Sequence, residues 1–153
     1  MLLRAVTLSI IFAGLATASS AQERQWNFDQ TDSDAYLVFG VPETDDVGLS
    51  LWCTKLSGKV SLFAPETDPR LKPSRNAKVT LDVNGTRFRY KGKTSANKNA
   101  ETTSIEITLN PDDKLFSAMT NGDHIAVTAG NSRHVYPLVE VDFGTFIQLC
   151  RKP

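Results

Sequence analysis

Long apolar runs are scarce in these 153 residues, and cysteine, histidine and tryptophan occur only twice each. After residue 21 no stretch is long or apolar enough for a membrane-crossing helix, which takes roughly 20 apolar residues. Gly-x-Ser-x-Gly, His-Glu-x-x-His and the phosphate-binding loop are missing, which removes those motif-borne routes to nucleophilic, metal-assisted and phosphoryl chemistry. A triad assembled from distant residues leaves no such trace, so an enzyme stays a rival; the expectation is a non-catalytic protein with no cofactor and no bound metal. Cys-x-x-Cys is missing too, and neither thiol reads as an exposed reactive one. Internal repeats and low-complexity tracts are absent.

What is present begins with an export signature. Arg4 precedes an apolar run from Ala5 to Ala16 and the small-residue end Ala18-Ser19-Ser20-Ala21, the layout of a cleaved signal peptide. Residues 1–21 are therefore expected to be removed, leaving a single β-rich domain over 22–153 in the periplasm or secreted. That domain has enough chain for a sizeable core. It carries 16 basic residues against 17 acidic ones, a net of −1 that predicts no partner by itself.

Cys53 and Cys150 both lie in the exported part, and thiols in an oxidising compartment are normally joined. A crosslink closing about 100 residues removes roughly 4.7 kcal/mol of unfolded-chain freedom in the entropic picture. Val47, Leu49, Leu51 and Cys53 alternate along one strand, leaving Gly48, Ser50 and Trp52 on its other face. Phe143, Phe146, Ile147 and Cys150 fall at the i, i+3, i+4, i+7 spacing of a helix stripe. Both cysteines are thus expected to point inward, with a disulfide stapling a C-terminal helix to that strand.

Short alternating and β-branched runs, separated by Gly, Pro, Asn and Asp, predict an antiparallel, mainly β fold: a β-sandwich or barrel-like domain with one or two short helices. Strands are expected at 25–28, 35–39, 47–53, 59–64, 78–83, 86–91, 102–109, 124–129 and 133–139. Asn84-Gly85 predicts a two-residue type I′ hairpin. Pairing residues whose numbers sum to 169 sets Val83, Leu81 and Val79 against Thr86, Phe88 and Tyr90 on one face, and Asp82, Thr80 and Lys78 against Arg87, Arg89 and Lys91 on the other. Asn110-Pro111-Asp112-Asp113 reads as a helix start with proline at the first position and acids in the first turn, and Gly122 as its end. A second helix is expected over 142–149. Pro65 to Pro73 and Lys93 to Ala100 read as surface loops, mobile and suited to contacts.

Three constellations were candidates for a site. Six acids and no bases lie between Asp29 and Asp46, but they miss the offsets of a calcium loop and read as solvated turns. His124 and His134 flank a turn near Gly130-Asn131; a two-residue turn sets His134 opposite Val127 and puts His124 on the other face, and a three-residue loop leaves them on one face but roughly 13 Å apart along the strand, so they are not expected to share a metal. The third rises above background. Nine basic residues between Pro69 and Lys98 face one acid, Asp82, for a local +8, while the rest of the exported chain carries −9. Lys78, Arg87, Arg89 and Lys91 share the polar hairpin face and predict a basic surface for an anionic partner, whether glycan, lipid headgroup or acidic protein; the plain alternative is an ordinary solvated sheet face. Arg70, Lys72 and Arg75 mark a possible contact loop. Nucleic acid is not expected, without interleaved exposed aromatics. Asn84-Gly85-Thr86 also fits a glycosylation sequon, although the tight turn explains the same residues.

The stretch Asp113-Lys114-Leu115-Phe116-Ser117-Ala118-Met119-Thr120-Asn121-Gly122, two following strands and Gly144-Thr145-Phe146-Ile147-Gln148-Leu149 resemble the invasion-associated locus B-type periplasmic proteins of bacteria. The resemblance covers about the last 45 residues as an arrangement and departs in cysteine placement. Elsewhere Gly40-Val41-Pro42-Glu43-Thr44-Asp45-Asp46 resembles uncharacterised exported bacterial proteins. The resemblance implies a compact β-sandwich without an assigned catalytic site, working as an envelope-associated binding protein. The rival expectation is an inhibitor or immunity protein against a cell-wall-degrading enzyme, presenting Pro65 to Pro73 to a catalytic cleft.

Overall fold

Alternation of apolar and polar residues sets nearly every element of the fold. The structure, a computed structural model, describes residues 23–98 and 101–153; the expected export segment and its cleavage point lie outside the described residues. Along the chain run β1 (Gln25–Gln30), β2 (Asp34–Gly40), β3 (Val47–Thr54), β4 (Val60–Ala64), β5 (Asn76–Val83), β6 (Thr86–Asn97), β7 (Thr102–Leu109), α1 (Lys114–Thr120), β8 (His124–Ala129), β9 (Ser132–Pro137) and α2 (Phe143–Cys150). The strands form one sheet in the order β1-β2-β3-β4-β7-β6-β5-β8-β9, each neighbouring pair antiparallel. Of the two expected arrangements it is the barrel-like one that forms. The sheet curls into a half-barrel, and the Trp26 indole Nε1 on β1 reaches the far edge, donating to the Pro137 carbonyl on β9 at 2.6 Å.

The inner face is continuous because facing residues match across the strands. Leu37 lies opposite Leu51, which lies opposite Leu62, which lies opposite Ile107; all four are buried. Each such aliphatic side chain contributes about 1.5–3 kcal/mol on leaving water. The helices close the hollow, α1 through Leu115, Phe116 and Met119 and α2 through Phe143, Phe146 and Ile147. Trp26 stacks edge-on to Phe143 at 5.6 Å, and Phe39 meets Tyr136 at 5.7 Å across the seam. Burial there pushes the Tyr136 hydroxyl up to about 12, with the nearby Glu66 charge adding to it.

Cys53 and Cys150 point into this core with their Sγ atoms at bonding distance, 2.00 Å, and their Cα atoms 5.7 Å apart. The turn after β3 reinforces the tie: the backbone N–H groups of Leu56 and Gly58 donate to the carbonyls of Leu149 and Cys150 at 2.8 and 2.9 Å. These satisfy carbonyls that a helix end would otherwise leave without partners.

Four local expectations are corrected. Lys93 to Asn97 is not loop but the second half of β6, paired to β7. It lacks apolar residues because its inward Thr94 is held by hydrogen bonds, its hydroxyl donating to the carbonyls of Lys72 and Arg75 at 2.7 and 2.9 Å. The loop from Pro65 to Pro73 is tucked in over its first half, where Pro65, Thr67 and Asp68 are buried. Asp68 there accepts bonds from the Arg70 guanidinium at 3.0 Å and from the Asn131 N–H at 2.7 Å. Helix α1 starts only after Asp113, which caps it by accepting from Leu115 N at 2.9 Å; Pro111 and Asp112 precede it, and no acid lies in its first turn. Finally, Val47 does not face inward with Leu49. A bulge sets Phe39 opposite Leu49 but Gly40 opposite Val47, so Gly48 takes the inner position, where a Cβ would meet Tyr136 at 3.0 Å.

Candidate functional site

The basic face is built by a hairpin whose turn leaves no freedom of register. Asn84 and Gly85 adopt φ of 47° and 88°, the left-handed pair that a type I′ turn requires. Every pairing from Val83 opposite Thr86 to Lys78 opposite Lys91 follows, as the sum of 169 predicted. Val79, Leu81 and Val83 are buried, and Tyr90 reaches across the hollow to donate its hydroxyl to Asp113 at 2.9 Å. Burial first, then the Asp113 hydrogen bond and charge, raise the Tyr90 pKa. With the inner face anchored this way, Lys78, Thr80 and Asp82 and their partners Arg87, Arg89 and Lys91 must face solvent.

The adjoining strands extend that surface. Thr80 on β5 lies opposite Thr128 on β8, and Thr128 lies opposite Arg133 on β9. One row therefore reads Arg89, Thr80, Thr128, Arg133, with the two guanidinium-bearing residues three strands and about 14 Å apart. Lys78 and Lys91 face each other in the next row. Sequence reasoning missed Arg133. The turn at Gly130-Asn131 places it opposite Thr128, but nothing in the sequence says that β8 lies against β5.

The cations of this face are not equivalent. Arg87 donates to Asp82 at 3.2 Å, and the Asp82 carboxyl is held below its usual range by the Gly85 N–H first and by Arg87 and Arg133 in smaller part. Lys78, Arg89, Lys91 and Arg133 have no ion pair among the described residues. Of the contact-loop candidates, Arg70 is tied to Asp68, whose pKa it lowers. Lys72 and Arg75 are exposed and flank the base of the hairpin, where Thr94 bonds their backbones.

Beyond β6 the same outer surface opens into a groove of about 610 Å³. Phe63, Val38 and the bulge residue Val47 give it apolar walls, and Ser50, Ser95, Ser104 and Asp45 bring polar groups to it. Ser95 and Ser104 hydroxyls lie 2.8 Å apart. Ser50 lies opposite Phe63, Phe63 opposite Glu106, and Glu106 opposite Lys93, so one row leads from groove to basic face. No histidine lines it. Val127 lies opposite His134 and His124 opposite Pro137, which puts the two histidines on opposite faces of the sheet. The acids from Asp29 to Asp46 serve local structure: Asp34 accepts from the Ser33 and Thr54 hydroxyls, and Asp46 pairs with Arg24.

Compared with models of known protein families, with curated proteins and with solved structures, the chain matches none.

Proposed function

We propose that this protein is an exported, non-catalytic binding factor, envelope-associated as in the locus B-type arrangement, that holds an anionic partner against the outer face of β5, β6, β8 and β9. One observation carries the reading: Lys78 sits directly opposite Lys91, with Arg89 and Arg133 in the neighbouring row and no carboxylate paired to any of the four among the described residues. Like charges placed directly across a ladder cost stability, so a sheet face under no demand but folding favours alternating signs. An anionic partner supplies the missing counter-charge.

The test is retention of the mature protein on a polyanion matrix over a salt gradient. Wild-type protein is expected to bind at low salt and elute as screening grows. R89E combined with R133E should abolish retention with the fold intact by circular dichroism; unchanged retention would remove the basic face from consideration. Export is checked separately, by locating the mature chain in cell fractions and sequencing its N-terminus.

A further inference from the structure

We propose that the anionic partner is an acidic polysaccharide, which seats a sugar ring in the outer groove against Phe63 and runs its charges over Lys93 onto Lys78, Arg89 and Lys91. The inference rests on the basic-face reading for its charge, and on the groove for its chemistry.

Two observations select this ligand class. The first is continuity. Phe63, Glu106 and Lys93 occupy one row across β4, β7 and β6, which spans about 10 Å between Phe63 and Lys93. A linear ligand crossing the strands meets an aromatic ring first, passes Glu106 and then reaches a cation. The second is composition. The groove combines an aromatic and aliphatic wall with serine hydroxyls, a carboxylate and a cation, Lys98. A sugar ring has that same division, with a C–H face to lie on Phe63 and hydroxyls at its edge for Ser50 and Asp45, whose side chains make no hydrogen bond among the described residues. A polyphosphate chain has no C–H face to offer, and a simple phosphodiester headgroup such as phosphoglycerol offers charge without a ring of hydroxyls. The bulge fits the same purpose, since the normal alternation would have sent Val47 to the core instead of the groove wall. Glu106 stands on the path and accepts from Ser61 at 2.9 Å. Its negative charge keeps the ligand's acidic groups off that position, toward Lys93 and the groove's own Lys98.

The experiment is calorimetric titration of the mature protein with a polyuronate oligosaccharide, the same oligosaccharide with its carboxylates reduced, and inorganic polyphosphate. Wild-type protein should bind the polyuronate more tightly than polyphosphate of matched charge, and the neutral oligosaccharide weakly. F63L, which keeps most of the apolar volume, should weaken polyuronate binding about tenfold, equivalent to about 1.4 kcal/mol, and leave polyphosphate binding unchanged; F63W should restore it. E106Q should tighten the polyuronate. Equal affinity of F63L and wild type for the polyuronate, or polyphosphate binding as tight as polyuronate, would overturn the saccharide assignment while leaving the basic face standing. If R89E with R133E leaves both polyanions bound as before, the basic-face reading itself falls.

Discussion

The two ends of the sheet carry comparable charge of opposite sign and put it to different use. Around β1, β2 and β3 three of the six carboxylates, Asp29, Asp34 and Asp46, are engaged where they stand. Asp29 accepts from the Gln30 N–H at 2.8 Å, Asp34 takes two hydroxyls, and Asp46 pairs with Arg24. Around β5, β6, β8 and β9, Lys78, Arg89, Lys91 and Arg133 form no ion pair among the described residues, Arg133 feeling Asp82 only at longer range. Charge density alone therefore does not mark a site in this molecule. The proposed site rests instead on charge that the fold leaves unpaired, for which folding alone gives no reason.

The comparison predicts that changes at the acidic end cost stability, while changes on the basic face alter binding. The largest effect is expected at the crosslink on β3. Replacing Cys53 and Cys150 together by alanine should lower stability by about 2–5 kcal/mol, read as the urea midpoint of the mature protein, with polyanion binding recovered under folding conditions. A variant as stable as wild type would show that the staple is redundant with the hydrogen bonds from Leu56 and Gly58.

Acid should produce the next effect. Asp34, Asp68, Asp82 and Asp142 all have carboxyl groups held below the ordinary value, by the Ser33 hydroxyl, the Arg70 guanidinium, the Gly85 N–H and the Thr145 hydroxyl respectively as leading causes. The native state thus holds these protons less readily than the unfolded chain. Their contribution to stability is complete above the ordinary carboxylate pKa near 4 and is lost as pH falls through the depressed native values. Urea midpoints should fall steeply between about pH 4 and pH 2, and D68N should make that fall shallower. Parallel curves for the two proteins would remove Asp68 from the account.

The smallest effect is the sharpest test of the contrast. K91T removes the repulsion between Lys91 and Lys78 and places a β-branched residue on a strand, so it should raise stability by about 0.2–1 kcal/mol while weakening retention on a polyanion matrix. If K91T is destabilising, the lysine pair has a structural role, and the distinction between engaged and uncompensated charge fails at its clearest point.

Much of the fold was legible because it is set by residues close in sequence. The Asn84-Gly85 turn and the flanking alternation fix the hairpin register, Gly130-Asn131 does the same for β8 and β9, and the stripe of α2 places Cys150. The basic face was legible to that extent, as Lys78, Arg87, Arg89 and Lys91. What escaped depends on pairings between distant strands. Arg133 joins the face only because β8 lies against β5, and the groove exists only because β4 pairs with β7 across the intervening hairpin. Two further misses have local causes. Thr94 fills an inward position through hydrogen bonds, so the second half of β6 shows no apolar alternation, and the bulge beside Gly48 reverses the face that Val47 presents.

The bond between Cys53 and Cys150 also fixes an order of events during synthesis. The first thiol emerges 97 residues before its partner, together with the strand that carries it, and until then it is a free sulfhydryl open to any other oxidant or thiol. Residues 25–137 supply the strands and the helix that shape the cavity before Phe143–Cys150 arrives to fill it. A pulse-chase with alkylation at successive times should accordingly find a reduced, protease-sensitive chain that converts to the oxidised form in a single late step.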